Sequence, residues 1–358
     1  MDFESRNSRD WRCHMKGILA GVFVVAGLLC TLSSGAKAQV PSCTESVSCS
    51  WYSIWGASGC VPALPEGATN CSVSDYVWTM ICQVPSPLCA PADAAQETPC
   101  DCNSGGRPIS LATGDTFIKQ TDISLPGLGG GLTLVRTWNS IWPSTQTASQ
   151  VGLFGPNWRS NFEERVFLGS DNYMKYARGD GSFWSFGYYG GPYIVSAPTN
   201  ESATLTAGTS YWTITFKNGE QRQFDNTSGN LIAIVDRNGN TTSLSYDSVG
   251  RLVTITDPAS RHLYFSYGSP TSFLVTSVTS DFGVSTSYTY NSQGLLLQVT
   301  EPDQSTLNFD YNSQSLIADV KDSNGIILEA HTYDSSGRGL TSTRANGVES
   351  VTVSYNNQ

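Results

Sequence analysis

A period of about 22 residues runs through the C-terminal part of this chain, from about residue 201, and limits it to one kind of architecture. Phe224-Asp225, Tyr246-Asp247, Tyr267, Tyr290-Asn291, Tyr311-Asn312, Tyr333-Asp334 and Tyr355-Asn356 lie 22, 21, 23, 21, 22 and 22 residues apart. A second mark keeps nearly the same phase: Asp236, Asp257, Asp281, Glu301 and Asp322, with Gly229, Gly250, Gly294 and Gly337. Two independent marks on one period identify a repeat array, residues 201–358. In the clearest unit Tyr246-Asp247 turns through Gly250-Arg251 into the β-branched run Leu252 to Thr256. Asp257-Pro258 then breaks the run, and Leu263, Phe265 and Tyr267 share one face of the next strand.

Two strands of about seven residues with two short turns use roughly 20–22 residues, so each repeat reads as one β-hairpin. Asn218-Gly219, Asn238-Gly239, Asn324-Gly325 and Asn346-Gly347 suit tight type I′ turns, while Asp257-Pro258 and Glu301-Pro302 suit another turn type. A hairpin cannot bury its apolar face alone, so neighbours are expected to stack edge to edge. Six hairpins give about a dozen strands and a band roughly 55–60 Å wide. The repeated tyrosines are expected to stack on one another across strands, with a sugar-stacking ladder as the functional alternative. The repeated acids read as turn residues, because none sits in the dense acidic loop that calcium requires.

The N-terminus carries a different signal. Met15-Lys16 opens an apolar run from Ile18 to Leu32, followed by Ala36-Lys37-Ala38. The run is short for a membrane span, and with the small-residue site it reads as a signal peptide, residues 1–38, cleaved before Gln39. Met15 is a plausible true start. The protein is therefore expected to be secreted or displayed at the cell surface, with no membrane insertion after cleavage. The whole chain has a formal charge of −10; losing five basic and three acidic residues leaves 15 against 27, or −12. So few cations cannot neutralise phosphates, which argues against nucleic acid as a partner. Charged residues make up 14% of the chain, and Ser, Thr, Asn and Gly supply the polar surface instead. Apolar residues at 39% suffice for a core.

Residues 39–105 hold Cys43, Cys49, Cys60, Cys71, Cys82, Cys89, Cys100 and Cys102, and the chain beyond has no cysteine. Eight cysteines in one exported segment read as a disulfide framework with unassigned connectivity. Zinc is disfavoured, since the segment has only Cys100-Asp101-Cys102 and no histidine. Trp51, Tyr52, Trp55, Tyr76 and Trp78 read as the small core such a module needs, with sugar stacking as the alternative. Val84 to Pro99, rich in proline and alanine, closes the module as a linker.

From residue 106 to about 200 strands alternate with glycine turns. Leu132, Leu134, Arg136 and Trp138 alternate with Thr133, Val135 and Thr137, as in a half-buried strand. Gly129-Gly130-Gly131 lacks the following helix and lysine of a phosphate loop and reads as turn. Pro108-Ile109 with Leu111-Ala-Thr-Gly-Asp115, then Leu134-Val-Arg-Thr-Trp-Asn-Ser140 and Phe154-Gly-Pro-Asn-Trp158, resemble the domain that opens Rhs/YD-repeat proteins. The Tyr-Asp/Gly-Arg-Leu array resembles the YD repeats themselves, so the resemblance covers about 107–358. It implies an all-β chain: a small disulfide-rich module, then an antiparallel β domain running into a hairpin repeat array. In that family the repeats wind into a hollow shell, often around a C-terminal toxin. Because Gln358 falls inside a fresh repeat, the front part of a longer shell protein is expected.

No catalytic constellation stands out. His262 and His331, the histidines left after cleavage, lie inside repeats without a recognisable nucleophile, and Gly-x-Ser-x-Gly and His-Glu-x-x-His are missing. The expectation is a non-enzymatic shell or adhesion scaffold without metal or cofactor. Its expected partners are a cell-surface protein, a carbohydrate or a toxin domain encoded downstream. The alternatives are a secreted carbohydrate-binding module and, behind it, a two-carboxylate glycan hydrolase.

Overall fold

A computed structural model describes residues 109–110, 113–142, 151–188, 192–344 and 349–355. It adds, as backbone only, the short strands Arg9–Asp10, Leu29–Leu32, Thr44–Ser50, Thr69–Ser74, Thr79–Pro85 and Ser104–Gly105. Apart from those backbone strands, the signal sequence with its cleavage site, the eight cysteine side chains, the leader aromatics and Asn346-Gly347 all lie outside the described residues.

The protein is all-β and antiparallel. Nineteen strands, from Arg165–Leu168 to Glu349–Thr352, form one sheet in which every strand pairs with its neighbours in sequence. A dozen strands were expected from the repeats. The surplus arises because the region after residue 200 holds fifteen strands, and because four before it, Arg165–Leu168, Met174–Ala177, Phe183–Tyr188 and Tyr193–Ala197, pair into the same ladder. Nineteen strands at about 4.8 Å give a contour of roughly 85–90 Å. The sheet coils as it runs: Val166 donates its N–H to the Gly229 carbonyl at 2.9 Å, and Arg165 bridges Asn230.

A second, three-stranded sheet of Phe117–Leu125, Leu132–Asn139 and Trp158–Ser160 lies against the concave face of the first. Its apolar side, with Ile118, Ile123, Leu132, Leu134, Trp138 and Trp158, shares one core with Leu252, Ile255, Phe265, Val299 and Phe309 of the repeats. The contacts span the whole array. Arg261 donates to the carbonyls of Leu125 and Pro126, Val275 to that of Leu153, and Gly339 to that of Gly114. Gly155 has φ of 100°, and a Cβ there would stand 2.5 Å from the Gly294 carbonyl oxygen, so this approach to a repeat turn admits no side chain.

Most of the repeat turns share one geometry, and it is not type I′. In Asp236–Asn240, Asp247–Arg251, Asp257–Arg261, Asn291–Leu295, Glu301–Ser305 and Asp334–Arg338 the fourth N–H bonds the first carbonyl, and the first N–H bonds the fifth. Positive φ falls only on the fourth residue: Gly239, Gly250, Gly294 and Gly337, but Ser260 and Gln304 in the proline-containing turns. These are three-residue loops, a type I turn closed by one left-handed residue, which needs positive φ once and leaves the preceding asparagine in ordinary conformation. The same loop serves the Asn-Gly and Asp-Pro turns. The first residue caps it: Asp247 Oδ1 accepts the N–H groups of Val249 and Arg251, and Asp257, Asn291, Asn312 and Asp334 do likewise. Asp281 departs from this pattern: Ser280 caps that turn and the Asp281 carboxylate turns away.

The tyrosines also act differently from the stacking expected of them. Successive repeats stand two strands, about 9.6 Å, apart, beyond the 4.5–7 Å of ring pairs. Each hydroxyl instead donates to a carbonyl of the preceding repeat: Tyr246 to Leu231, Tyr267 to Leu252, Tyr290 to Val275, Tyr311 to Leu296, Tyr333 to Ile317 and Tyr355 to Gly339, at 2.6–2.8 Å. The acceptor always precedes the extra residue of a β-bulge, such as Ile232, Val253 or Leu297. A bulge disrupts the ladder locally, and the next tyrosine satisfies the carbonyl beside it. Arg251 and Arg338 pair with their cap aspartates and lie over the next tyrosine, 4.6 Å from the Tyr267 ring and 4.2 Å from that of Tyr355. Tyr267→Phe is therefore expected to lower stability by about 1–2 kcal/mol in urea unfolding, by leaving the Leu252 carbonyl without its donor. Ser287→Ala, on the exposed face, should change it by less than about 0.5 kcal/mol.

Candidate functional site

The junction between the two sheets carries the densest chemistry among the described residues. Strand alternation puts Arg136 in line with Leu132, Leu134 and Trp138, so its guanidinium enters the core with 0% exposure. A β-bulge at Asp122 in the facing strand turns that carboxylate onto it. Arg136 Nη2 donates to Asp122 Oδ1 at 2.8 Å, and Nε bonds the other oxygen. Tyr288 donates its hydroxyl to Asp122 Oδ2 at 2.7 Å, and Thr286 donates to the Asp122 carbonyl. Three rings surround the cation, Trp158 at 4.6 Å, Tyr288 at 5.3 Å and Phe154 at 5.5 Å. Burial alone would lower the Arg136 pKa, but the Asp122 charge holds it above the ordinary value. The centre is closed to solvent and contains no nucleophile, so its role is to hold the sheets together.

Further carboxylates are buried around it. Glu163 accepts the N–H groups of Leu153 and Ser160, both at 2.7 Å, and Glu164 accepts the Tyr176 hydroxyl and Arg222 Nε. Burial raises the pKa of both. Asp115 accepts the Ile141 N–H and the Ser140 hydroxyl, and burial pushes it up to about 7. Glu301, at the start of a repeat turn, is also pushed up to about 7, first by desolvation and then by the Asp122 charge. A hydrolase needs its two carboxyls to face a common substrate space. Asp115, Glu163 and Glu164 are tied to backbone amides or an arginine inside the core, where no substrate reaches.

One open cleft of about 400 Å³ lies on the concave face between Gln120 of the inner sheet and the last strands. Leu307, Val320 and Leu328 form its floor, with Glu329, Arg344 and Glu349 beside them. Glu329 pairs with Arg344 at 2.9 Å, and His331, its side chain 0% exposed, stands 3.5 Å from Glu329. Ser342, also buried, lies directly opposite His331 in the adjacent strand. His262 lies on the convex face, where Asp281 holds its Nδ1 at 2.9 Å. The tyrosine ladder offers no sugar platform, since each hydroxyl is bonded inside the sheet and the rings are partly buried. Sequence reading missed Asp122, Glu163, Glu164 and the cleft. A single cue was available, an arginine on the apolar face of a strand, which requires a buried acid. Thr286 and Tyr288, which complete the Asp122 site, are 164 and 166 residues away in sequence.

Comparison with known proteins adds two layers. A family model described as a domain of unknown function, DUF6531, matches residues 106–186, and one described as RHS Repeat matches 226–262 and 274–306. The tRNA nuclease WapA of Bacillus subtilis strain 168 is 29% identical over 145 residues, which are 40% of this chain and 6% of that protein. The tRNA(Glu)-specific nuclease WapA of Bacillus subtilis subsp. natto matches at 29% over the same shares. The chain thus spans a small fraction of the curated relatives it matches. Among solved structures, the TcdB2-TccC3-Cdc42 crystal structure aligns with a TM-score of 0.27 and 13% identity, over 61% of this chain and 14% of that one. The Photorhabdus luminescens Tc holotoxin pore aligns at 0.26 and 13%, over 63% and 14%.

Two outcomes test the junction. Asp122→Ala strands a buried guanidinium and is expected to cost about 3–5 kcal/mol in chemical unfolding, whereas the Asp122→Leu/Arg136→Met pair should recover most of that loss. Asp115 has a folded pKa above its unfolded value. The stability it contributes is therefore full below about pH 4 and lost as pH rises through about 7. Asp115→Asn keeps the acceptor and removes the titration, so the stability difference from wild type should change between pH 4 and pH 7 and level off outside that window.

Proposed function

The chain belongs to the Rhs/YD-repeat family, and on that premise we propose that it is an exported, non-enzymatic shell segment that scaffolds a passenger polypeptide. The observation that carries this reading is the inner sheet. Residues 114–142 and 151–160 lie along the concave face and bond repeats from Arg261 to Gly339, so the array is wound around a fixed interior element. A one-layer sheet held in a curve this way encloses space on one side only, and the cleft beside Gln120 opens on that side. The partner we assign to the concave face is a toxin domain encoded downstream, not a nucleic acid or a membrane.

The WapA relatives are named as tRNA nucleases, and the matched segment is 6% of their length. In our reading that segment is the delivery scaffold, and the nuclease activity of those proteins resides elsewhere in their chains. The apolar run before Ala36-x-Ala38 supports export, and the eight cysteines support an oxidising destination.

Purified protein incubated with bulk tRNA is expected to leave it intact on denaturing gels, and cleavage by homogeneous protein would overturn the non-enzymatic assignment. The form recovered outside the producing cell should begin at Gln39 and gain about 8 Da on reduction, as four disulfides take up hydrogen. An unprocessed N-terminus with free thiols would rule out export.

A further inference from the structure

In one turn of the array a serine takes over the cap, and the acid it releases builds a cluster on the convex face. In the turn Ser280–Val284 the Ser280 hydroxyl accepts the N–H groups of Phe282 and Val284, the task that aspartate or asparagine performs elsewhere. Asp281 is thereby shifted one place along the turn, and its carboxylate reaches back to the strand His262–Tyr267. Oδ2 accepts the His262 backbone N–H at 2.7 Å and meets His262 Nδ1 at 2.9 Å, while Oδ1 accepts the Tyr264 hydroxyl at 2.9 Å. The imidazole and phenol rings stack, with centroids 5.5 Å apart and planes 15° from parallel.

Proton positions follow from these bonds. Hydrogen bonds from His262 and then Tyr264 hold the Asp281 carboxyl below its ordinary range, so it is ionised and can only accept. His262 Nδ1 must then carry the hydrogen, and in the singly protonated tautomer this leaves Nε2 as an acceptor. The Tyr264 hydroxyl has given its hydrogen to Asp281, so its oxygen also presents lone pairs. The cluster therefore offers a carboxylate, an imine nitrogen and a phenolic oxygen, all acceptors, beside an aromatic ring that is 41% exposed. Phe282, next in the chain, is 64% exposed. The positions around Tyr264 are small, Ser266 two residues on and Thr254 and Thr279 across the neighbouring strands, so the ring stands above a hydroxyl surface.

We propose that His262, Tyr264 and Asp281 form a binding site for a cationic side chain, an arginine or lysine, presented by a protein partner. A guanidinium carries five donors and no acceptor, and an ammonium three donors and none, which matches a site made only of acceptors. The Tyr264 ring adds attraction for the cation, and Asp281 supplies the charge complement on a chain of net charge −10. Anionic ligands are repelled. The described residues hold no group of three or more His, Cys, Asp or Glu side chains placed to ligate a metal ion. The site lies on the face opposite the inner sheet and stands independently of the scaffold reading.

The test is an NMR titration of the full-length protein with N-acetyl-arginine methylamide, following the His262 imidazole resonances. A saturable shift is expected with this probe and with the lysine analogue, and none with N-acetyl-glutamine methylamide. Affinity should fall about tenfold or more in Asp281→Asn and in Tyr264→Leu. Tyr264→Leu keeps an apolar side chain on an exposed strand face, so it remains informative if Asp281→Asn disturbs the turn. No shift, an equal shift with the glutamine analogue, or saturable binding of methyl glucoside in place of the cations would each overturn the proposal, the last in favour of a sugar site.

Discussion

The bond on which the concave face depends is the one between Arg136 and Asp122. A guanidinium without exposed surface is costly to desolvate, and it is tolerated only where a carboxylate, hydrogen bonds and ring faces replace water together. Here the replacement comes from both sheets: Asp122, Trp158 and Phe154 from the inner sheet and its flanking loop, Tyr288 and Thr286 from the repeats. Neither sheet alone satisfies the charge. The pair therefore specifies where along the array the inner sheet sits, which apolar packing of interchangeable Leu, Ile and Val would leave free to slide.

Position along the array matters because the array is nearly uniform. Every repeat offers the same inward leucine or valine, the same tyrosine and the same turn, so register must come from residues that occur once. Gly155 against Gly294, Arg261 on the Leu125 and Pro126 carbonyls, and the Glu164–Arg222 pair are such residues, and each joins segments that are 58 or more apart in sequence. The bulges are the uniform part. They give alternate strand pairs added twist, and the tyrosine that bonds beside each bulge transmits that geometry to the next repeat.

The array itself was legible in the sequence, because its signal is local and recurs: the all-β class and most of the aspartates as turn residues follow from spacing. Turn type was misread because Asn-Gly suits two hairpin loops, and only the turns without glycine, with Ser260, Gln304 and Ser315 at the left-handed position, disclose that one residue of positive φ is needed. Tyrosine stacking was misread because a period in sequence says nothing about the distance between repeats, which two strands set at about 9.6 Å. The junction was the least legible part. Arg136 on an apolar face announced a buried partner, but Asp122 reaches it through a bulge, and a bulge leaves no trace in alternation. Tyr288 was hidden in a different way, as one aromatic among many in a strand of ordinary repeat pattern.

Departures from the repeat mark the places where something outside the repeat acts on it. Glu301 stands where aspartate or asparagine caps most other turns; its longer side chain is half-buried, and its pKa responds to Asp122 of the inner sheet. That departure has its cause in the chain itself. Asp281 is the other. It follows the preceding acid by 24 residues where the next two intervals are 20 and 21, and the extra length lets Ser280 cap the turn in its place. Nothing in the sheet requires the exchange, because an aspartate at 280 would close that loop as well as it closes the others. The released carboxylate instead organises a histidine and a tyrosine on the solvent face. A repeat that gives up its strongest cap to place three acceptors on its outer surface has the form of a contact for a donor-rich group outside the molecule.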